Sequence, residues 1–260
     1  MTTVADILAF VETLAPRYMQ YEWDNTGLLC GSRSQEVKKI LVALDAFEGV
    51  CREAKEFGAD LLLTHHPLIF DAPKAICDES DMGRAIMLLI QNGISAVNAH
   101  TNLDCAPGGI NDTLAAILGL QNIEIVDPKG TDVPYGLLRI GNVPQQPLPA
   151  FLAHVKERLG CEGLRYADGG RPVSRVAVGG GSCGSDLPDA AKAGCDTFVT
   201  ADVKYNQFND AQAMGINLID AGHFCTENPI VPVLAEKIAA AFPEIGVKIS
   251  QTHTDCVKFY

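Results

Sequence analysis

Basic residues are scarce in this sequence, and their scarcity argues against one class of function. The 260 residues include 20 lysines and arginines against 32 aspartates and glutamates, which gives a net charge of −12. Proteins that bind DNA or RNA gain affinity by presenting clustered Lys and Arg to the phosphates. We therefore expect no nucleic acid among the partners of this protein.

Long apolar runs are also missing. No stretch has the roughly 20 consecutive apolar residues that a membrane-spanning helix needs, and no basic segment followed by an apolar run occurs near residue 1. Apolar residues still make up 47% of the chain and charged residues 20%, which is typical of a globular protein with a well-filled core. These features predict a cytoplasmic protein without membrane association.

Cysteine is plentiful, but paired cysteines are lacking. The nine cysteines are scattered, and none forms a Cys-x-x-Cys pair. A thiolate zinc site needs such spacing, and a chain of this size rarely depends on a disulfide framework. We interpret most of them as small buried hydrophobic residues. Cys105 and Cys225 are noted because they adjoin candidate site residues.

Short buried strands alternate with helices along most of the chain. Periodicity and turn residues predict, among others, helices at 48–57, 81–91 and 148–159 and strands at 61–64 and 197–200. This alternation predicts an α/β protein with layered, mainly parallel sheets. A run richer in proline and glycine, residues 127–149, suggests a boundary between halves. We therefore predict an N-terminal α/β half, 1–127, and a C-terminal α/β half, 128–260, whose last segment can pack back on the first half.

The two halves resemble each other in sequence order. Residues 58–64 are echoed by 194–200, each after a strand and a helix, and residues 92–100 are echoed by 214–223 after one further helix. This similarity predicts an internal duplication that produces two similar, intertwined α/β halves. Equivalent strand ends of the two halves would then face one another.

Histidines and carboxylates occur where predicted strands end. His65 and His66 follow a buried strand that Pro67 stops. In each half, one further predicted strand is followed by a histidine and, four residues later, by a carboxylate. These pairs are His100 with Asp104 and His223 with Glu227. Ligands of open α/β sheets bind at the carboxyl ends of the strands. These side chains are therefore candidates for a single site between the halves.

The residue types suit divalent metal ions. Imidazole and carboxylate ligands without thiolates fit zinc, manganese, iron, cobalt or nickel, and a carboxylate can bridge two ions about 3.5–4 Å apart. Because one ion could not easily use four histidines and two carboxylates, we predict a site with two metal ions. Such a site polarises a substrate oxygen and makes hydroxide available near neutral pH.

Several motifs together resemble the NIF-three-like family, whose members are also called GTP cyclohydrolase 1 type 2 homologues. They are Trp-Asp-Asn-Thr-Gly-Leu at 23–28, Thr-His-His-Pro at 64–67, Ala-His-Thr-Asn-Leu-Asp at 99–104, the glycine-rich loop 179–184, and residues 221–227. The resemblance spans almost the whole chain. It implies the family's fold, a hexameric ring with a central cavity, and a small-molecule substrate that includes GTP as a candidate.

The resemblance also implies roles for individual residues. Glu227 would bridge the two ions, and His100 would line the site and orient groups or transfer protons. The implied metal ligands are His65, His66, Asp104, His223 and Glu227. Asn206 stands where many family members carry a histidine, so we expect no proton shuttle at that position.

Two other functions fit parts of the sequence. Gly179, Gly181 and Gly184 match the dinucleotide-binding fingerprint, with Asp202 downstream, which would indicate a nicotinamide-dependent oxidoreductase. The same loop could instead bind a substrate phosphate through its backbone N–H groups. The metal ligands could also serve a non-catalytic ring that handles metal. The hypothesis that uses most of these residues is a dinuclear metal-dependent hydrolase acting on a nucleotide or phosphorylated substrate.

Overall fold

The computed structural model describes residues 1–260, which form helices and two β-sheets. The helices are α1 (Val4–Leu14), α2 (Glu48–Phe57), α3 (Asp81–Gln91), α4 (Thr101–Cys105), α5 (Ile110–Ile117), α6 (Leu148–Leu159), α7 (Leu187–Lys192), α8 (Tyr205–Met214), α9 (His223–Glu227) and α10 (Ile230–Ala241). The strands are β1 (Gly27–Cys30), β2 (Lys39–Ala43), β3 (Leu61–Thr64), β4 (Ser95–Asn98), β5 (Gln121–Ile125), β6 (Arg139–Gln146), β7 (Arg165–Ala167), β8 (Val173–Val178), β9 (Thr197–Thr200), β10 (Asn217–Asp220) and β11 (Gly246–Ile249). None of these helices has the length and apolarity needed to cross a bilayer.

The chain divides into two compact units, and each is built from two segments. The first unit comprises Met1–Leu103 and Ile230–Thr254, and the second comprises Asp104–Pro229 and Asp255–Tyr260. The boundary predicted after residue 127 falls inside the second unit, because β5 pairs with β6 in that unit's sheet. The late segment belongs to the first unit because β11 adds to its sheet in parallel with β2.

The first unit contains a five-stranded sheet in the order β1, β4, β3, β2, β11. Every neighbouring pair is parallel except β1 with β4. All four residues of β3 are buried, as expected for a central parallel strand covered on both faces. Helices α2 and α3 pack against this sheet through apolar side chains such as Val50, Ala54, Ile86 and Leu89.

The second unit contains a six-stranded sheet in the order β5, β6, β8, β9, β10, β7. Strands β8, β9 and β10 are parallel, and the outer pairings are antiparallel. The expectation of mainly parallel sheets thus holds at the centre of this sheet but not at its edges. For β5 and β6 the reason is that they follow one another without a crossover helix, which a parallel pair would require.

The same supersecondary pattern occurs in both units. In the first, β2, β3 and β4 are adjacent and parallel, with α2 and α3 between them along the chain. In the second, β8, β9 and β10 are adjacent and parallel, with α7 and α8 between them. This order agrees with the predicted duplication. It also brings the carboxyl ends of neighbouring parallel strands to one edge of each sheet, where the candidate site residues lie.

Candidate metal centre

Three of the candidate histidines come together in the first unit. His65 and His66 follow β3, and His100 follows β4, the strand paired in parallel with β3. The ring centroid of His65 lies 4.7 Å from that of His66 and 5.1 Å from that of His100. One ligand nitrogen from each of the three rings lies within 4.8 Å of the others, so the cluster can hold a metal ion.

Each of these three rings has its Nδ1 atom held by an oxygen of the same unit. The pairs are His65 Nδ1 with the Ala99 carbonyl at 2.8 Å, His66 Nδ1 with Asp45 Oδ1 at 2.7 Å, and His100 Nδ1 with Asp24 Oδ1 at 2.7 Å. When Nδ1 donates a proton to such an oxygen, the lone pair of the neutral ring is on Nε2. Metal-binding histidines usually have this arrangement, because the oxygen fixes both the tautomer and the ring orientation.

Asp24 anchors His100 from the turn before β1. Its carboxylate also accepts hydrogen bonds from the backbone N–H of Thr101 at 3.0 Å and from the Thr101 hydroxyl at 2.5 Å. Burial alone would raise the pKa of Asp24, but the hydrogen bonds from His100 and Thr101 outweigh it and lower the pKa to about 2. The carboxylate is therefore charged at neutral pH and keeps the His100 imidazole in a fixed orientation.

Asp45 performs the corresponding task for His66 and has a second histidine partner. Its other oxygen lies 3.0 Å from Nε2 of His253, which arrives with the late segment of the first unit. Burial favours a higher pKa for Asp45, but the hydrogen bonds from His253 and His66 hold that pKa well below its usual range. The sequence gave no signal for His253, which lies far from every motif.

The second unit repeats this arrangement on helix α9. His223 and Glu227 are four residues apart and so share one face, with His223 Nε2 3.0 Å from Glu227 Oε2. His223 Nδ1 lies 2.7 Å from the carboxylate of Asp202, which follows β9, the strand next to β10. Glu227 is buried, with 3% of its surface exposed. A carboxylate from a neighbouring strand end thus orients this histidine as well.

The glycine-rich loop supports α9 instead of offering donors to a phosphate. Its first three N–H groups donate within the protein, from Gly179 to the Val199 carbonyl, from Gly180 to Asn111 Oδ1 at 2.7 Å, and from Gly181 to Thr226 Oγ1 at 3.0 Å. A Cβ atom at Gly181 would lie 2.1 Å from Glu227 Oε1. The dinucleotide and phosphate-loop interpretations both need those donors, so the structure does not favour either.

The remaining candidates are also placed. Asp104 is buried on α4 at the start of the second unit, and its backbone carbonyl accepts a hydrogen bond from Asn111 at 3.1 Å. Burial raises the pKa of the neighbouring Cys105 thiol to about 12. Cys225, on α9, packs against the apolar core of the second unit.

Comparison with known proteins identifies the family. The family model described as Duf34/NIF3 (NGG1p interacting factor 3) matches residues 2–256. The chain belongs to the DUF34/NIF3 family. Among relatives of this NIF3-family chain, the GTP cyclohydrolase 1 type 2 homolog of Clostridium perfringens is 39% identical over 235 residues, covering 90% of each chain. The Clostridium acetobutylicum protein of the same name is 35% identical over 263 residues, covering 98% of each chain.

A solved structure supports the same family assignment. The Bacillus cereus protein related to NIF3 superposes with a TM-score of 0.92 at 26% identity, covering 100% of this NIF3-family chain and 99% of the other. The family and the α/β fold predicted from the sequence are thereby confirmed. Groups of histidine and acidic side chains that can hold a metal ion are present as well. Their nitrogen and oxygen donors, without thiolates, fit first-row divalent ions.

Proposed function

We propose that this NIF3-family protein is a metal-dependent hydrolase with a dinuclear centre. The proposed ligands are His65, His66, Asp104, His223 and Glu227, with Glu227 as the bridge. The observation that carries the proposal is the shared support of the three histidine ligands, each of which has its Nδ1 atom held by an oxygen. Metal-binding histidines almost always have such a partner, which fixes the tautomer and the ring orientation.

The chemistry follows from the ions and from the residues beside them. Divalent ions supply Lewis acidity, which polarises a phosphoryl or carbonyl oxygen and acidifies water. His100, which we do not count among the ligands, is suited to proton transfer at Nε2. The Asp24 carboxylate on Nδ1 stabilises the imidazolium that forms when Nε2 takes up a proton.

The substrate class we propose is a nucleotide or another phosphorylated small molecule. The name of the relatives, GTP cyclohydrolase 1 type 2 homolog, supports GTP as the first compound to test. We further propose a cytoplasmic homohexamer, which the family resemblance and the composition support. Native mass spectrometry or analytical ultracentrifugation measures the number of subunits directly.

Metal content is the decisive measurement for this function. We expect about two ions per chain in wild-type protein purified without chelator, and fewer in His66→Ala and Glu227→Ala. Ile90→Ala, which truncates an exposed side chain on α3, is the matched control and should keep wild-type metal content. Unchanged metal in both ligand variants would show that the ligand assignment is wrong.

Turnover separates a hydrolase from a protein that only stores or delivers metal. Metal-loaded protein is assayed with GTP and with a chromogenic phosphate ester. We expect His100→Ala to retain its metal and to lose activity by about 10²- to 10⁴-fold, the usual contribution of a general acid or base. Full metal occupancy without turnover of either substrate would instead favour a metal-handling role.

A further inference from the structure

An exposed aromatic surface adjoins His100 in the first unit. Trp23 is 60% exposed and Phe70 is 52% exposed, and their ring centroids are 5.8 Å apart. Both rings meet His100 nearly edge to face, at 6.2 Å for Trp23 and 6.1 Å for Phe70. Two large apolar rings thus lie in water directly beside the histidine cluster. We call Trp23 and Phe70 the aromatic platform.

The platform is held in place by the network that positions His100. Tyr21 stacks on one face of Trp23, with ring centroids 5.6 Å apart and planes 7° from parallel. The backbone N–H of Tyr21 donates to the Thr101 hydroxyl, which itself donates to Asp24, the residue that holds His100. The Trp23 ring is therefore fixed relative to His100 before any ligand arrives, which lowers the entropic cost of binding.

The Phe70 side of the platform is anchored separately. The side-chain amide of Asn25 donates to the backbone carbonyl of Ile69 at 2.7 Å, which ties the loop that carries Phe70 to the turn that carries Trp23. The two planes meet at 50°, so the platform is a shallow wedge with His100 at its edge. A wedge of this kind accepts one flat ring more readily than an extended chain.

We propose that the aromatic platform binds the planar heterocycle of the substrate, such as a nucleobase, and so directs the reacting part of the molecule toward the histidines. The inference rests on the hydrolase function proposed above and names the residues of that site that bind the base of its substrate. Bases stack favourably on exposed aromatic side chains whatever their hydrogen-bonding pattern. The position beside His100 is what links this surface to the proposed chemistry.

A small molecule fits the platform better than a macromolecule does. Two exposed rings offer far less area than the roughly 800 Å² per partner that a stable protein interface buries. A strand of nucleic acid would also need basic side chains along its backbone, and the chain has a net charge of −12. One flat ring stacked on the wedge needs neither a large interface nor a row of basic side chains.

The protein contains a single tryptophan, which makes the proposal directly measurable. Intrinsic fluorescence of the metal-loaded protein, excited beyond the absorption band of the six tyrosines, reports on Trp23 alone. We expect saturable quenching by guanosine and by GTP, and none by ribose 5-phosphate or tripolyphosphate, which lack the ring. Free N-acetyltryptophanamide, titrated in parallel, corrects for absorbance by the nucleoside.

Variants test whether the ring contacts matter. Phe70→Leu should weaken the guanosine-dependent quenching about tenfold, the scale of one lost stacking contact. Ile90→Ala, an exposed apolar truncation elsewhere in the unit, should leave it unchanged. Trp23→Leu removes the fluorophore, so its affinity for guanosine is measured by equilibrium dialysis with labelled guanosine. Trp23→Phe, which keeps an aromatic ring, is measured in the same way and should bind guanosine more tightly than Trp23→Leu.

The outcomes separate this proposal from the function on which it rests. Metal binding and turnover without any quenching by guanosine would overturn the platform and leave the hydrolase intact. Guanosine binding to a protein that holds no metal would support the platform while the hydrolase proposal fails. If Trp23→Leu changes the oligomeric state and guanosine does not quench the wild-type protein, the platform is a subunit contact and the proposal is wrong.

Discussion

The second ring nitrogen of a metal-binding histidine is almost always held by a hydrogen-bond acceptor, and in this protein acidic side chains hold three of the four candidate histidines. Asp24, Asp45 and Asp202 each accept from the Nδ1 atom of a candidate histidine at 2.7 Å. Each aspartate lies on a segment that neighbours the segment of its histidine. The pairing of the strands therefore positions the carboxylates together with the rings. The oxygens that orient the rings are expected to matter nearly as much as the ligands.

Replacing Asp24 with asparagine tests that expectation at His100. Asp24→Asn keeps the shape but removes the charge that stabilises the protonated His100 ring and one of the two acceptor oxygens. We expect metal content to stay at the wild-type level while kcat falls about 10- to 100-fold. A variant with wild-type kcat would show that Asp24 has only a structural role.

The sequence made the candidate ligands visible but not their supports. His65, His66, His100, His223 and Glu227 stand out because each follows a buried strand, and a strand end can be recognised locally. Asp202 also follows a strand, β9, but its pairing with His223 depends on β9 lying beside β10. His253 has no local signature, because its contact with Asp45 depends on where the chain returns. Those long-range choices depend on tertiary packing, which one sequence does not display.

At the scale of the element, helix α9 and the glycine-rich loop form one structure. Gly181 has a φ of +64°, and a Cβ atom there would meet Glu227 Oε1 at 2.1 Å and His223 Nε2 at 3.1 Å. The loop therefore needs glycine for its backbone conformation and for the space that the two proposed ligands occupy. The sequence pattern suggested a dinucleotide loop because both kinds of loop require glycine for close approach.

Comparing Gly181→Ala with Gly194→Ala separates the requirement for a positive φ from the requirement for space beside the proposed ligands. Gly194 also has a positive φ, +78°, but nothing lies within 4 Å of its Cβ position. We expect Gly194→Ala to cost only about 1 kcal/mol of backbone strain and to keep its metal. Gly181→Ala should lose more stability and also lose metal, because Glu227 must move. Equal unfolding free energies and equal metal contents would contradict this account of the loop.

Another element-scale device attaches the late segment to helix α2. The Glu53 carboxylate accepts hydrogen bonds from two backbone N–H groups, those of Gln251 and Thr252, and from two hydroxyls, those of Ser250 and Thr252. It also forms an ion pair with Lys248, whose Nζ lies 3.0 Å away. These bonds fix the segment that delivers His253 to Asp45. Although burial raises the pKa of Glu53, the bonds from Ser250 and its neighbours lower it to about 2.

This carboxylate gives a stability that depends on pH. Because the folded pKa lies below the ordinary 4.5, the contribution is complete above about pH 4.5 and is lost as the pH falls toward 2. We expect Glu53→Gln to lower the unfolding free energy at pH 7 by about 2 kcal/mol and to flatten the acid limb of the stability curve. Glu56→Gln, an exposed change on the same helix, is the control for urea titrations at both pH values.

For the whole molecule, the fold class and the local elements followed from the sequence, but the path of the chain did not. Helices α2, α3 and α6 and strands β3 and β9 occupy the ranges that periodicity and turn residues predict. Strands β5 and β7 were missed because they are short, largely exposed edge strands without an apolar pattern. The pairing of β11 with β2 joins residues about two hundred positions apart, which only tertiary structure determines.

If the proposed ligands form one centre, metal binding must stabilise the whole fold. At a metal concentration a hundred times Kd, a ligand that binds only the folded state adds about 2.7 kcal/mol, or several degrees in Tm for a chain of this length. We expect this rise on adding zinc or manganese to wild-type protein, and its reversal by a chelator. His66→Ala and His223→Ala should each remove most of it, because a shared centre loses affinity when either ligand is missing. If each variant kept half of the rise, the histidines would belong to separate, independent sites.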